Sequence, residues 1–180
     1  MAFGIDSQSR RLHVSDARVF GWDNSQIGNK DRRKDRMPRI YRPMKRGNDG
    51  LPLTGTQSKE LGVRVPPNER ADIDVADHGI VTLNRRGMSV AADWRLLQPH
   101  LIPKRLNDVC YGASGPNSLS IYRHGEGDFE EGPVNETLSL ALKDGSSRHA
   151  NVVPVSETQI DEFLSQLAAT RPHWIDEEPQ

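Results

Sequence analysis

At 180 residues the chain is long enough for one domain with its own core and too short for two of ordinary size. Hydrophobic residues make up 34% and charged residues 27%, with a mean hydropathy of −0.70, a polar balance that implies an unpacked segment beside a packed one. The net charge of −1 hides an asymmetry: residues 1–50 hold twelve Lys and Arg against six Asp, while residues 51–180 hold twelve against nineteen Asp and Glu.

No apolar run approaches the roughly 18 residues that a membrane span requires, and residues 1–11 lack the apolar stretch of a secretory signal. The expectation is a chain made in the cytoplasm without Sec export and without a membrane partner. One cysteine, Cys110, cannot close an internal disulfide and is expected as a small buried apolar side chain. The six histidines show neither His-x-His nor an i, i+4 pair, so a structural metal is not expected.

Residues 1–36 show neither strand nor helix periodicity and are expected to be a polar, basic, partly disordered extension. Within it, residues 30–36 (KDRRKDR) are basic enough to touch nucleic acid or an acidic partner, although most such runs are only solvated. A single domain over 37–175 and an acidic tail over 176–180 complete the division. Pro38 and Pro43 limit a short strand around Ile40, Tyr41 and Arg42, expected at a sheet edge or opening onto a cleft. Residues 47–55 are rich in turn residues, and residues 57–61 can form one helical turn.

Alternation of Ile73 and Val75 with Asp72 and Asp74 predicts a strand with one wet face, and Asp77-His78-Gly79 turns it into a second strand at Ile80, Val81 and Leu83. Arg85-Arg86-Gly87-Met88-Ser89-Val90 follows. There a glycine that tolerates positive φ or close backbone approach stands beside two guanidinium groups and a hydroxyl, a combination that suits an anionic ligand or a plain solvated turn. A helical turn is predicted over 93–97, and Pro99 and Pro103 bracket a loop holding His100.

Further strands are predicted at 118–122, 137–142 and 150–155, the last two joined by a turn at Asp144-Gly145. Between the first two lies a glycine-rich acidic loop, 123–133, expected as a mobile surface segment. Residues 156–170 read as a helix. Ser156 and Gln159 have capping-box spacing, Val155 and Ile160 can form a hydrophobic staple, and Ile160, Phe163, Leu164, Leu167 and Ala168 make one apolar stripe. Together these elements predict an α+β fold, a split, mainly antiparallel sheet with packed helices. Rossmann, Walker and Gly-x-Ser-x-Gly signatures are absent.

Several short motifs resemble a family of small bacterial toxins, the type VI secretion effectors with an ADP-ribosyltransferase-like fold and related polymorphic toxin domains. They are Ile40-Tyr41-Arg42, Asn48-Asp49-Gly50-Leu51-Pro52, Leu61-Gly62-Val63-Arg64, Asp72-Ile73, Gly79-Ile80-Val81, Gly87-Met88-Ser89-Val90, Leu97, His100 and Pro103, then the strand, helix and terminal aromatic over 150–174. The family commonly has a second glycine where this chain has Arg86. The resemblance implies an antibacterial toxin acting in the cytoplasm of a target cell on NAD, as an ADP-ribosyltransferase or another NAD-consuming transferase, and travelling with an immunity protein. It places Arg42 on the pyrophosphate, Tyr41 and Ser89 around nicotinamide, and Arg86 and Gly87 beside the cofactor. A catalytic carboxylate is drawn from Glu126, Glu130, Glu131 and Glu136, with Glu136 taken here. The alternative is a non-enzymatic module that binds nucleic acid, through the basic segment 30–46 with Trp22 and Tyr41, or a protein partner, through the acidic 126–136 loop and the carboxy-terminal tail.

Overall fold

A computed structural model describes residues 37–143 and 146–178. The expected extension over 1–36, with its basic run and Trp22, lies outside the described residues, as does the Asp144-Gly145 turn. Seven strands form one sheet: β1 Ile40–Lys45, β2 Met88–Ala91, β3 Leu119–His124, β4 Gly132–Pro133, β5 Leu138–Leu142, β6 His149–Pro154 and β7 Ile175–Asp176. Their order is β4-β5-β6-β2-β1-β3-β7, and every neighbouring pair is antiparallel. The architecture is a mainly antiparallel sheet with one α-helix among the described residues, α1 Ile160–Ala169; the other helical pieces are single 3-10 turns.

Side chains alternate across a strand, so the register fixes which residues share a face. Ile40, Met44, Met88, Val90, Tyr122, Leu138, Leu140, Ala150 and Val152 point to one face and join one buried core. Phe163 and Leu167 of α1 close that core, each 0% exposed, together with Trp174 and with Leu61, Val63, Ile73 and Val81 from the long connection between β1 and β2. On the other face a smaller cluster of Trp94, Ile102, Leu106 and Ala113 packs over Ile121 and Tyr41, with Cys110 partly buried against it. Among the described residues no helix is long and apolar enough to cross a membrane.

Three expectations need correction. β1 lies inside the sheet rather than at its edge, paired with β3 through six register positions but with β2 through one, Tyr41 with Ala91. Pro43 has no N–H to extend a ladder, and the sheet opens at that seam. The segment 71–83 reverses as expected, through Ala76 N to Ile80 O at 2.8 Å and Thr82 N to Asp74 O at 2.9 Å, but it makes only the bridge Val75 with Val81. It stops there because Val81 N turns to Thr158 O and Ile80 pairs with Gln159, docking the chain on the start of α1. Finally, α1 begins after Gln159 with no side-chain cap, so Ser156 forms no capping box, and Val155 is half-exposed rather than stapled. The residues before Ile160 are held extended by their bonds to the 80–81 segment, which leaves Ser156 too far upstream to reach the first helical turn.

Candidate functional site

At the open seam between β1 and β2 the guanidinium of Arg42 is 5% exposed. Its Nη1 donates to Ser89 O at 2.5 Å, and its Nη2 donates to the carbonyls of Ser58, Glu60 and Gly62 at 3.1 to 3.3 Å. A buried cation needs such partners, and four carbonyl dipoles supply them without a counter-charge. Burial pulls Arg42 down to about 10, with the nearby Asp72 carboxylate pulling the other way, so the group stays charged at neutral pH. Its Nε is buried without a partner among the described residues.

Arg42 forms part of the lining of a cleft of about 380 Å³, with Ser89 and His149 from β2 and β6, the 97–101 segment on one side and Ser58, Lys59, Arg64, Arg70 and Asp72 on the other. Among the described residues four cations and two imidazoles thus line it with a single carboxylate. That carboxylate is occupied: Asp72 accepts from the Arg64 backbone N at 2.9 Å, from Nε at 3.1 Å and from Nη2 at 2.6 Å. The fork raises the Arg64 pKa, chiefly through this side-chain bond to Asp72. Lys59 and Arg70 enter no ion pair among the described residues, and the positive field of the cleft is theirs to direct.

The residues marked by sequence separate into four places. Arg42 and Ser89 come together here, although the atom of Ser89 that meets Arg42 is its carbonyl oxygen. Tyr41 points to the opposite face from Arg42, half-buried against the Trp94 cluster and outside the cleft lining; burial first, then the charge of Glu177, raises its phenol. Arg86 and Gly87 lie away from the cleft. The Arg86 guanidinium is bonded to Asp74 and to Ala71 O, and Arg85 to Glu131, so both charges are neutralised. Positive φ falls on Arg85, at 65°, and Gly87 admits the close approach of β6, since a Cβ there would lie 2.2 Å from Val152 O. The glycine serves the sheet.

Glu136 is exposed in the turn that leads into β5, and β6 and β2 stand between β5 and β1. At ordinary strand spacing that is roughly 14 Å of lateral separation from Arg42. Glu126 is bonded to Arg123 and Arg39, and Glu131 to Arg85, while Glu130 is exposed, so the acidic loop contributes no carboxylate to the cleft lining. Sequence reading missed Ser58, Lys59, Arg70 and His149, which lie in turns or at a strand start without local motif. Beside Arg42 and Ser89, His100 carried a signal, as a histidine isolated between two prolines.

No family model matches the chain, and neither a curated protein nor a solved structure matches it.

Proposed function

We propose that the chain is a toxin-like, NAD-consuming enzyme whose dinucleotide lies in the cleft over β1, β2 and β6. The observation that supports this reading is the charge of the cleft, where Lys59, Arg64 and Arg70 surround a hollow of about 380 Å³ and the one carboxylate is held by Arg64. Such a hollow falls in the size range of small-molecule sites, and its cations suit a pyrophosphate. Leu97 and Leu101 offer apolar walls for a base, and the hydroxyl of Ser89 a donor for the nicotinamide side. Arg42 acts through the frame, fixing the 58–62 backbone that carries Lys59. ADP-ribose transfer in the cytoplasm of a target cell, with an immunity protein as partner, is the form the family resemblance implies.

Inducing the full chain in bacteria and following growth and cellular NAD tests the reading. Arrested growth with falling NAD, relieved in a Lys59→Ala, Arg70→Ala variant, is the expected result; growth and NAD equal to an uninduced culture would contradict it.

A further inference from the structure

The sign of the charge in the cleft discriminates between two bonds of a dinucleotide. Breaking the nicotinamide glycosidic bond builds positive charge on the ribose, and a carboxylate is the side chain that stabilises it. Breaking the bond between the two phosphates builds negative charge on phosphoryl oxygens, which cations stabilise. Asp72, the one carboxylate in the lining, is tied up by three bonds from Arg64, and neighbouring Glu60 is turned to Lys45 Nζ at 3.1 Å and Gln57 N at 3.2 Å. Against them stand Lys59, Arg64 and Arg70 with the imidazoles of His100 and His149.

The two histidines come from different elements, a turn and a strand. His149 is opposite Ala91, and Ser89 is opposite Asn151, so Ser89 and His149 are diagonal neighbours on one face, with Cα atoms roughly 7–8 Å apart in an ordinary sheet. His100 lies in the turn Pro99–Leu101, is exposed, and lines the same cleft. Imidazole as a class both gives and takes protons, so two of them lining one cleft can supply a base and an acid to a substrate bound there.

We infer that the bond broken is the phosphoanhydride of NAD, with His100 and His149 handling the protons. The inference rests on the dinucleotide reading of the cleft and stands in place of ADP-ribose transfer, which breaks the glycosidic bond instead. One imidazole takes a proton from water, and the water oxygen forms a new bond to one phosphorus. The bond from that phosphorus to the bridging oxygen breaks, its electron pair stays on that oxygen, and the other imidazole can protonate it. One water is consumed, the products are nicotinamide mononucleotide and AMP, and no oxidant or reductant is involved.

The test is to incubate the purified full chain with NAD in ¹⁸O-labelled water, identify the products by mass spectrometry and measure NAD binding by calorimetry in parallel. Expected are nicotinamide mononucleotide and AMP in equal amounts, with one label on a phosphate. His100→Asn and His149→Asn should each slow this by ~100-fold or more, the scale of general acid–base catalysis, with NAD affinity changed only a few-fold. Free nicotinamide with ADP-ribose, or NAD that binds and stays intact, would overturn the inference and leave the dinucleotide reading standing. Unchanged turnover in both histidine variants would overturn the assignment of the protons. Absence of NAD binding would overturn the reading and the inference together.

Discussion

Arg42 on β1 and Ser89 on β2 are joined by a single bond, Nη1 to the Ser89 carbonyl at 2.5 Å, beside the point where the two strands stop pairing. Pro43 cannot donate to β2, and the guanidinium of its neighbour does so instead while gathering the carbonyls of Ser58, Glu60 and Gly62. The same side chain therefore closes the seam of the sheet and frames the cleft.

Arg42→Met leaves those four carbonyls without their donor and should lower unfolding free energy by about 3–5 kcal/mol, as losing a buried, hydrogen-bonded charge does elsewhere. Arg42→Lys keeps the charge but not the fork, and its midpoint in urea should fall between the two. A methionine variant with the parent's midpoint would show that the seam holds without the guanidinium.

Strands were legible wherever alternation ran beside a local partner. β5 and β6 follow each other in the chain, and Leu138, Leu140, Ala150 and Val152 show their facing in the sequence. The apolar stripe of α1 was equally clear. What failed depended on distant partners: Ile80 and Val81 left their hairpin for Thr158 and Gln159. The carbonyls that hold Arg42, 16 to 20 residues away and one 47 residues away, were likewise invisible locally. The cleft was half legible. Arg42, Ser89 and His100 stood out as residues, whereas Lys59, Arg70 and His149 meet only because β1, β2 and β6 are neighbours.

The helix gives a paired test of cap against stripe. Phe163 and Leu167 are 0% exposed in the main core, and alanine at either should cost about 2–5 kcal/mol. Ser156 is exposed and caps nothing, so Ser156→Ala should move the thermal midpoint by no more than about a degree. A loss near 1 kcal/mol at Ser156, typical of a removed N-cap, would restore the capping box.

His124 sits 2% exposed on β3 with Nδ1 unpartnered, facing Trp174 and His173 at ring separations of 5.1 and 6.3 Å. Burial first, then the charge of His173, lowers it to about 4 from 6.5. Its protonation is thus favoured in the unfolded chain between those values. The contribution is fully present above pH 6.5 and is lost as pH falls toward 4, on the order of 1.4 kcal/mol per pH unit at most. Carboxylates held by arginines, Asp49 by Arg171 and Glu126 by Arg123, add acid sensitivity of their own, so the comparison is with a variant. His124→Gln should flatten the stability profile between pH 6.5 and 4.5 relative to the parent; parallel profiles would remove His124 from the account.

The central claim is that the cleft binds a dinucleotide through cations that no ion pair has already neutralised. Calorimetric titration of NAD into the full chain, and into the Lys59→Ala, Arg70→Ala variant, measures it most directly. Saturable one-to-one binding in the parent, weakened by ~10-fold or more in the variant, is the predicted result. No saturable heat in the parent, or equal affinity in the two proteins, would contradict it.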